Sequence, residues 1–130
     1  MAEAPEHVPE LSIIMPAHNE AGRVGDVVRD VRARCPGAEI IVVDDASTDA
    51  TATEAAAAGA FVARHPYNKG NGAAIKTGLR AAHGQHVLLM DADGQHAPAD
   101  IPRLLEPLAE YDLVVGARDP KTQAGWLRRA

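Results

Sequence analysis

Four consecutive apolar residues, Val87 to Met90, lead directly into Asp91 and Asp93, two carboxylates one residue apart. This pattern predicts a buried strand with acidic side chains at its carboxyl end. Two neighbouring carboxylates stay ionised together only when a cation or hydrogen bonds compensate their repulsion. Mg²⁺ and Mn²⁺ prefer such hard oxygen ligands. A solvated turn explains the same residues equally well, since Asp and Gly are common in turns.

Short apolar runs alternate with helical patterns along most of the chain. Val24, Val27, Val28 and Val31 have the spacing of an amphipathic helix. Such alternation with short connections predicts an α/β domain with a parallel or mostly parallel sheet. We predict strands over Leu11–Met15 (stopped by Pro16), Glu39–Val43, Ala60–Arg64, His86–Met90 and Asp112–Gly116. Helices are predicted from Val24 to Pro36-Gly37, over Ala50–Ala58 and Ala73–Ala82, and from Pro98 to about Glu110. Residues 1–10 are predicted to be a flexible lead-in, and residues 117–130 show no clear period.

Polar clusters follow three of the predicted strands directly: Pro16 to Glu20, Asp44-Asp45, and Asp91 with Asp93. Ligands of open α/β sheets bind outside the carboxyl ends of the strands. We therefore expect all three clusters along one edge of the sheet. Helix capping explains part of the second cluster, which continues with Ser47, Thr48 and Asp49. It does not explain the doubled Asp, so Asp45 is favoured as an acceptor for a ribose hydroxyl or a base N–H.

Other polar residues carry weaker signals. A glycine-containing loop from Asn68 to Gly72 precedes a helix and could offer backbone N–H groups to an anion, or simply be a flexible helix entry. It is not a P-loop, because no Gly-Lys-Ser/Thr follows. Arg118 follows a strand and either neutralises a phosphate or is a solvated charge. His96 is close enough in sequence to reach the acidic site. We expect the remaining histidines considered, His7, His65, His83 and His86, at the surface or its boundary.

Composition excludes several classes of protein. The 130 residues are 46% hydrophobic and 24% charged, which is typical of one globular domain. The net charge of -5 gives no nucleic-acid footprint, so no nucleic-acid partner is expected. No apolar run approaches the roughly 20 residues that span a bilayer, and no signal peptide is visible. The lone Cys35 is consistent with a reducing compartment.

Five segments together resemble the inverting, family 2 type of nucleotide-sugar glycosyltransferase, which has the GT-A fold. Within that family, the chain looks like the polyprenyl-phosphate (dolichol-phosphate) mannosyl- and glucosyltransferases. The segments come in the family's order: Ile14–Glu20, Ile41–Asp49, Asn68–Gly70, Asp91–His96 and Val115–Arg118. The resemblance implies a Rossmann-like nucleotide-diphospho-sugar transferase fold. In it, residues 11–118 form the nucleotide-sugar-binding domain, and residues 119–130 begin an acceptor region whose remainder is missing.

The resemblance also implies roles for individual residues. The nucleotide sugar would be bound by Pro16, His18, Glu20, Val43, Asp45, Asn68, Lys69, Ala92 and Arg118. A divalent metal, Mg²⁺ or Mn²⁺, would be held by Asp91, Asp93 and Gln95, with Asp91 and Asp93 as the catalytic pair. The metal would neutralise the diphosphate leaving group while an acceptor oxygen attacks the anomeric carbon from the opposite face. His18 stands where many relatives have Tyr, and it keeps a flat ring there.

The implied activity is transfer of a sugar, with inversion, from a GDP- or UDP-sugar to a polyprenyl phosphate or a glycan. Related catalytic domains continue beyond the fifth strand, so the resemblance implies the N-terminal donor-binding half only, with little turnover by this chain alone. We expect the protein in the cytoplasm, and peripherally at the cytoplasmic face of the membrane if the acceptor is a lipid phosphate. An incomplete sheet would expose edges that favour self-association.

Three other classes of protein share parts of this pattern. A non-catalytic nucleotide-binding fragment would have the same pocket and differ only in turnover. A response-regulator receiver also places paired acids and a phospho-acceptor Asp after strands, but here a full strand and helix precede Asp44-Asp45. A sugar nucleotidyltransferase needs a basic, glycine-rich signature after the first strand, where this chain has an acidic segment ending at Glu20.

Overall fold

A computed structural model describes residues 9–92, 111–115 and 125–128 of the chain. In these residues, six strands form one sheet in the order β3-β2-β1-β4-β5-β6. The first five strands run parallel and β6 is antiparallel to β5. The strands are β1 (Leu11–Ala17), β2 (Glu39–Asp44), β3 (Phe61–Arg64), β4 (His86–Leu89), β5 (Tyr111–Val115) and β6 (Gly125–Arg128). The helices are α1 (Val24–Arg34), α2 (Thr51–Ala57) and α3 (Asn71–Ala81). The predicted α/β class with a mostly parallel sheet is confirmed.

The helices cover both faces of the sheet. On one face, the four valines of α1 are 0–6% exposed and pack with Ile13 and Met15 of β1. On the other face, Ala74 of α3 packs with Ile14 and Ile41. The alternation of β1 residues between the two clusters follows from the two-residue period of a strand. Both faces of the central strands are therefore buried, as a parallel sheet requires.

The chain reverses its direction across the sheet between β1 and β4. From β1 it steps to β2 and then to β3, and α3 then returns it to β4 on the other side of β1. Because parallel crossovers are right-handed, steps in opposite directions place their helices on opposite faces. The carboxyl ends of β1 and β4 consequently flank a topological switch point, where open sheets bind ligands.

The first strand does not stop at Pro16, and the sequence prediction was wrong there. β1 continues to Ala17, with Pro16 opposite Val43 of β2. The Ile14 carbonyl accepts from Met90 N–H and the Ala17 carbonyl accepts from Asp45 N–H. Backbone groups of successive residues point to alternate neighbours, so Pro16 faces the side of β4. Since β4 ends at Leu89, opposite Ile14, the N–H that proline lacks would point beyond the end of that strand.

The other boundaries differ from the predictions by one or two residues, except at the carboxyl end. α3 begins at Asn71, two residues before the predicted start, and β5 begins at Tyr111. The strand β6 was missed, because the segment from residue 117 onward has no clear period. The predicted helix from Pro98 to Glu110 and most of the predicted lead-in lie outside the described residues. Among the described helices, none combines the length and apolarity that a membrane span needs.

Candidate functional site

The three strand-end clusters meet in one cavity of about 290 Å³ at the switch point between β1 and β4. We call it the strand-end cavity. The loop after β1, the end of β2, the start of α3 and the end of β4 all contribute to its wall. Its lining residues are Pro16, Ala17, His18, Glu20, Asp45, Asn68, Gly70, Asn71, Ala74, Asp91 and Ala92. The expectation that these clusters share one edge of the sheet is therefore met by their described members.

The loop after β1 is held by side chains from the start of α2. Four successive backbone N–H groups, those of residues 19–22, each donate to a side-chain oxygen on the segment 47–54. The acceptors, in order, are Ser47 Oγ (2.8 Å), Thr51 Oγ1 (2.8 Å), Asp49 Oδ2 (3.2 Å) and Glu54 Oε1 (2.9 Å). The Asn19 side chain accepts in return from Thr48 N–H at 2.9 Å. The serine, threonines and acids of this segment thus fix one wall of the cavity.

Helix capping by this segment is only partly as predicted. The N-cap residue of α2 is Ala50, which makes no side-chain capping hydrogen bond, although Asp49 Oδ1 before it accepts from Thr51 N–H at 3.0 Å. Ser47 and Thr48 instead contact Asn19, so their role is to join two loops.

His18 is an exposed ring at the mouth of the cavity with a defined tautomer. Its Nδ1 lies 2.8 Å from the Asp45 carbonyl oxygen, which can only accept, so Nδ1 carries the hydrogen. The Asn19 amide nitrogen lies 3.3 Å from Nε2 and donates to it. Asn19 itself has φ 53°, a left-handed conformation that asparagine tolerates better than most residues. These contacts hold a flat imidazole ring beside the cavity.

Asp45 is the best-supported polar group of the site. Its Oδ1 accepts from His65 Nδ1 and from Lys69 N–H, both at 2.8 Å, and its Oδ2 accepts from Gly70 N–H at 2.9 Å. Burial raises the pKa of Asp45, but the backbone donors and the His65 ring outweigh it, so the pKa lies below its ordinary value. The side chain is therefore an ionised carboxylate in a fixed orientation at the cavity wall.

Asp44 has a different task, which explains the doubled Asp. It is fully buried and does not line the cavity. Its Oδ1 accepts from Ser47 N–H at 3.0 Å, and its Oδ2 lies 3.5 Å from the Arg64 guanidinium. Asp44 thus shapes the turn after β2, and its neighbour Asp45 reaches the cavity.

The loop from Asn68 to Gly70 leads into α3, and the first residues of this helix lie at the cavity. Gly70 has φ 95°, which a glycine adopts without strain, and the helix begins at the next residue. Gly70, Asn71 and Ala74 line the cavity, so the positive end of the helix dipole lies at its wall. The Lys69 amino group lies 5.2 Å above the Tyr67 ring and does not line the cavity. Lys69 contributes through its backbone N–H to Asp45.

Asp91 and Ala92 bring the end of β4 to the same cavity. Asp91 is half-buried and Ala92 is 1% exposed. The Asp91 carboxylate is a hard oxygen ligand of the kind that Mg²⁺ and Mn²⁺ prefer, so this position fits the predicted metal. In residues 9–92 and the two later strands, no group of three His, Cys, Asp or Glu side chains is placed to hold a metal ion. Asp93 and Gln95, the other predicted ligands, lie outside the described residues, so the metal set stays a prediction.

Comparison with known proteins decides the family. The family model described as "Glycosyl transferase family 2" matches residues 12–130. The chain belongs to this family. It has a GT-A-like fold, since its structural neighbours are GT-A glycosyltransferases.

Two curated relatives are named for polyprenyl-phosphate substrates. Undecaprenyl-phosphate 4-deoxy-4-formamido-L-arabinose transferase of Pseudomonas paraeruginosa is 35% identical over 129 residues, covering 91% of this chain and 38% of the relative. Dodecaprenyl-phosphate galacturonate synthase of Rhizobium johnstonii is 36% identical over 135 residues, covering 92% of this chain and 39% of the relative. The chain therefore spans less than half the length of these relatives.

A solved structure gives the same picture. Glucosyl-3-phosphoglycerate synthase from Mycobacterium tuberculosis matches with a TM-score of 0.66 and 29% identity, over 77% of this chain and 39% of that one. That enzyme has been crystallised with Mn²⁺, UDP-glucose and phosphoglyceric acid, and also with Mg²⁺ and UDP.

The residues predicted from the family pattern fall into three groups. Those at the cavity are Pro16, His18, Glu20, Asp45, Asn68, Asp91 and Ala92. Val43 is 0% exposed and packs in the core with Ile14 and Ile41. Lys69 donates its backbone N–H to Asp45 and does not itself line the cavity. Asp93, Gln95, His96 and Arg118 lie outside the described residues. The roles of all these residues in binding stay predictions.

The sequence did not indicate two residues that support Asp45 at the strand-end cavity, His65 and Thr77. His65 was expected at the surface or its boundary, but it is 5% exposed and contacts Asp45. Thr77 of α3 contacts the other ring nitrogen of His65. One signal could have indicated the histidine: His65 directly follows β3, as Asp45 follows β2.

Proposed function

We propose that this chain forms the donor site of a glycosyltransferase that moves a sugar from a GDP- or UDP-sugar, with inversion, to a polyprenyl phosphate or a glycan. The observation that carries the proposal is the convergence of three strand-end clusters in one cavity at the switch point. Asp45, the start of α3 and Asp91 face the same space of about 290 Å³. That size lies near the lower end for small-molecule sites.

The described residues divide the cavity between the two parts of such a donor. Pro16, His18, Glu20 and Asp45 form the side that suits a nucleoside, with a flat ring and a fixed carboxylate acceptor. The start of α3 offers backbone N–H groups and a positive dipole end to the diphosphate. Asp91 at the cavity wall would hold the metal, and the sequence predicts Asp93 and Gln95 as its further ligands.

The reaction forms a bond between an acceptor oxygen and the anomeric carbon and breaks the bond from that carbon to the diphosphate. The electron pair leaves with the diphosphate. When bound, the divalent metal neutralises the charge that develops on this leaving group. The start of α3 adds backbone donors at the same place. A phosphate acceptor is already ionised and needs no general base, whereas a hydroxyl acceptor needs one.

The proposed acceptor also suggests where the protein works. Two relatives carry a polyprenyl phosphate in their names, and such a lipid resides in a membrane. We therefore propose a cytoplasmic protein that works at the cytoplasmic face of the membrane. The crystals of glucosyl-3-phosphoglycerate synthase with Mn²⁺ or Mg²⁺ and UDP support a metal-assisted donor site. Self-association through an exposed sheet edge stays part of the proposal.

Calorimetric titration with UDP and GDP, each with Mn²⁺ and then with EDTA, tests the donor site. The chain should bind one nucleotide only with metal, and Asp91→Asn/Asp93→Asn should lose this binding. The matched control is Asp26→Asn/Asp30→Asn, which removes two exposed carboxylates of α1 and should bind normally. Equal binding with EDTA would contradict the metal role. Absence of binding by the folded wild-type chain would refute the donor site.

A transfer assay then separates an enzyme from a binding protein. Sugar transfer to a polyprenyl phosphate is measured for the same wild-type chain and double variant. Transfer that the double variant loses supports the proposed reaction. Binding without any transfer would favour the non-catalytic alternative for this chain.

A further inference from the structure

His65 is a buried titratable side chain to which neither the family resemblance nor the proposed reaction gives a role. It directly follows β3 and is 5% exposed. Its Nδ1 lies 2.8 Å from Asp45 Oδ1 and its Nε2 lies 2.8 Å from Thr77 Oγ1. The ring therefore joins the carboxylate at the end of β2 to the second turn of α3. A buried histidine with both nitrogens occupied has one orientation.

The chemistry of the partners assigns the direction of these hydrogen bonds. The Asp45 carboxylate can only accept, so Nδ1 of His65 donates. In the neutral ring, Nε2 accepts the hydrogen of the Thr77 hydroxyl. The chain Thr77–His65–Asp45 thus ends on the carboxylate and fixes the position of Oδ1. The first residues of α3 and Asp45 both line the cavity, and the His65 side chain connects α3 to Asp45.

The hydrogen-bond capacity of Asp45 leaves room for one ligand group. A carboxylate has about four acceptor positions on its two oxygens. His65 and Lys69 N–H take two on Oδ1, and Gly70 N–H takes one on Oδ2. One position remains on Oδ2, and Asp45 lines the cavity. A base N–H or a ribose hydroxyl can fill it, provided that the carboxylate does not rotate.

We propose that His65 is a positioning residue of the nucleoside site, which orients Asp45 so that its remaining acceptor position faces the nucleotide. This inference rests on the proposed donor site. It goes beyond that site because His65 never touches the nucleotide and acts only through the N–H of its Nδ1. Its contribution to binding therefore depends on one hydrogen-bond donor and not on the ring as a whole.

Two amide substitutions separate the two nitrogens of the ring. In His65→Asn, the amide nitrogen stands at the δ position and can still donate to Asp45. In His65→Gln, the amide stands at the ε position, next to Thr77, and the donor to Asp45 is lost. The affinity for UDP or GDP, whichever wild type binds more tightly, is measured with Mn²⁺. Circular dichroism and urea titration verify that each variant is folded.

We expect His65→Asn to bind within about threefold of wild type and His65→Gln to bind at least tenfold more weakly. A purely structural role for the ring would weaken both variants equally, and that result would overturn the inference. Equal binding by wild type and His65→Gln would overturn it as well. If folded wild type binds neither nucleotide, the proposed donor site is refuted. If wild type binds a nucleotide but the variants contradict the expected pattern, only the role of His65 is refuted.

Thr77→Val provides a second test that leaves His65 in place. Valine keeps the shape of threonine but removes the hydroxyl that holds Nε2. We expect nucleotide affinity to fall by about threefold to tenfold, because the ring then has one anchor instead of two. Should His65→Gln fail to fold, unchanged affinity in folded Thr77→Val would still overturn the inference.

Discussion

Replacing Gly78 by alanine tests how closely α3 packs against the sheet. Gly78 is buried in the interior of α3, and a Cβ there would lie 2.4 Å from Ile14 Cγ2 and 3.2 Å from its Cδ1. Carbon atoms in contact stay about 3.5–4.0 Å apart, so Ile14 or the helix must move by more than about 1 Å. Ile14 belongs to β1, which pairs with β2 on one side and β4 on the other, and it is 0% exposed. Its side chain therefore has little space to move.

Two opposing energies set the expected size of the effect. Alanine gains about 1 kcal/mol over glycine in a helix interior. Inserting a methyl group into a well-packed core costs about 1–3 kcal/mol. We therefore expect Gly78→Ala to lower the free energy of unfolding by about 1 kcal/mol, although the same change stabilises most helices. The displaced helix should also weaken nucleotide binding, since its first residues line the strand-end cavity.

Gly72→Ala is the matched control, because it changes the same residue type in the same helix. A Cβ at Gly72 meets no atom within 4 Å, so only the helix propensity changes. Urea unfolding is measured for both variants and wild type. With a slope of about 1–3 kcal/mol per molar urea, the two variants should differ in midpoint by roughly 1 M. Equal or higher stability of Gly78→Ala relative to Gly72→Ala would refute the close packing of α3 on β1.

Two further substitutions probe the ends of the sheet. Burial raises the pKa of Glu39, but the backbone and ring of His83 and the Ser12 hydroxyl outweigh it and hold the pKa below its ordinary value. Glu39 thus stabilises the fold above about pH 4.3 and loses this effect as the pH falls through its folded-state pKa, so Glu39→Gln should approach wild-type stability on acidification. Ala46 has φ 58°, a left-handed conformation that costs a non-glycine residue about 1 kcal/mol. Ala46→Gly should raise the free energy of unfolding by up to about 1 kcal/mol.

Both effects are read from urea unfolding. For Glu39, the difference from wild type is followed between neutral and acidic pH, and a difference that widens on acidification would show that the sign is wrong. For Ala46, Ala60→Gly is the control, since Ala60 has no left-handed conformation to relieve and should lose stability. A lower stability of Ala46→Gly would contradict the strain at this turn.

Most of the sheet and two thirds of the cavity wall could be predicted from local patterns. Runs such as Ile40 to Val43 identify strands because a strand buried on both faces is continuously apolar. The valines of α1 identify a helix by their spacing. Strand ends of a parallel sheet meet at one edge, so the position of Asp45 and Asp91 along the chain already places them together.

Other features depended on neighbours distant in sequence. Pro16 is tolerated in a central strand only because β4 ends opposite Ile14. β6 forms by antiparallel pairing with β5, and its four residues carry too short a pattern to indicate a strand. His65 is buried because Asp45 and Thr77, 20 and 12 residues away, satisfy its two nitrogens. No periodicity reports such partners.

The sequence by itself determined the α/β class, the strand-end position of the polar clusters and the family, since all of these follow from residue types and spacing within short segments. The tertiary structure alone decided how the polar groups are used. Of two adjacent carboxylates, Asp44 holds a turn and Asp45 faces the cavity, with three of its four acceptor positions filled by the segment 65–70. The physical reason is that hydrogen-bonding capacity is shared among groups that only folding brings within 3 Å of each other.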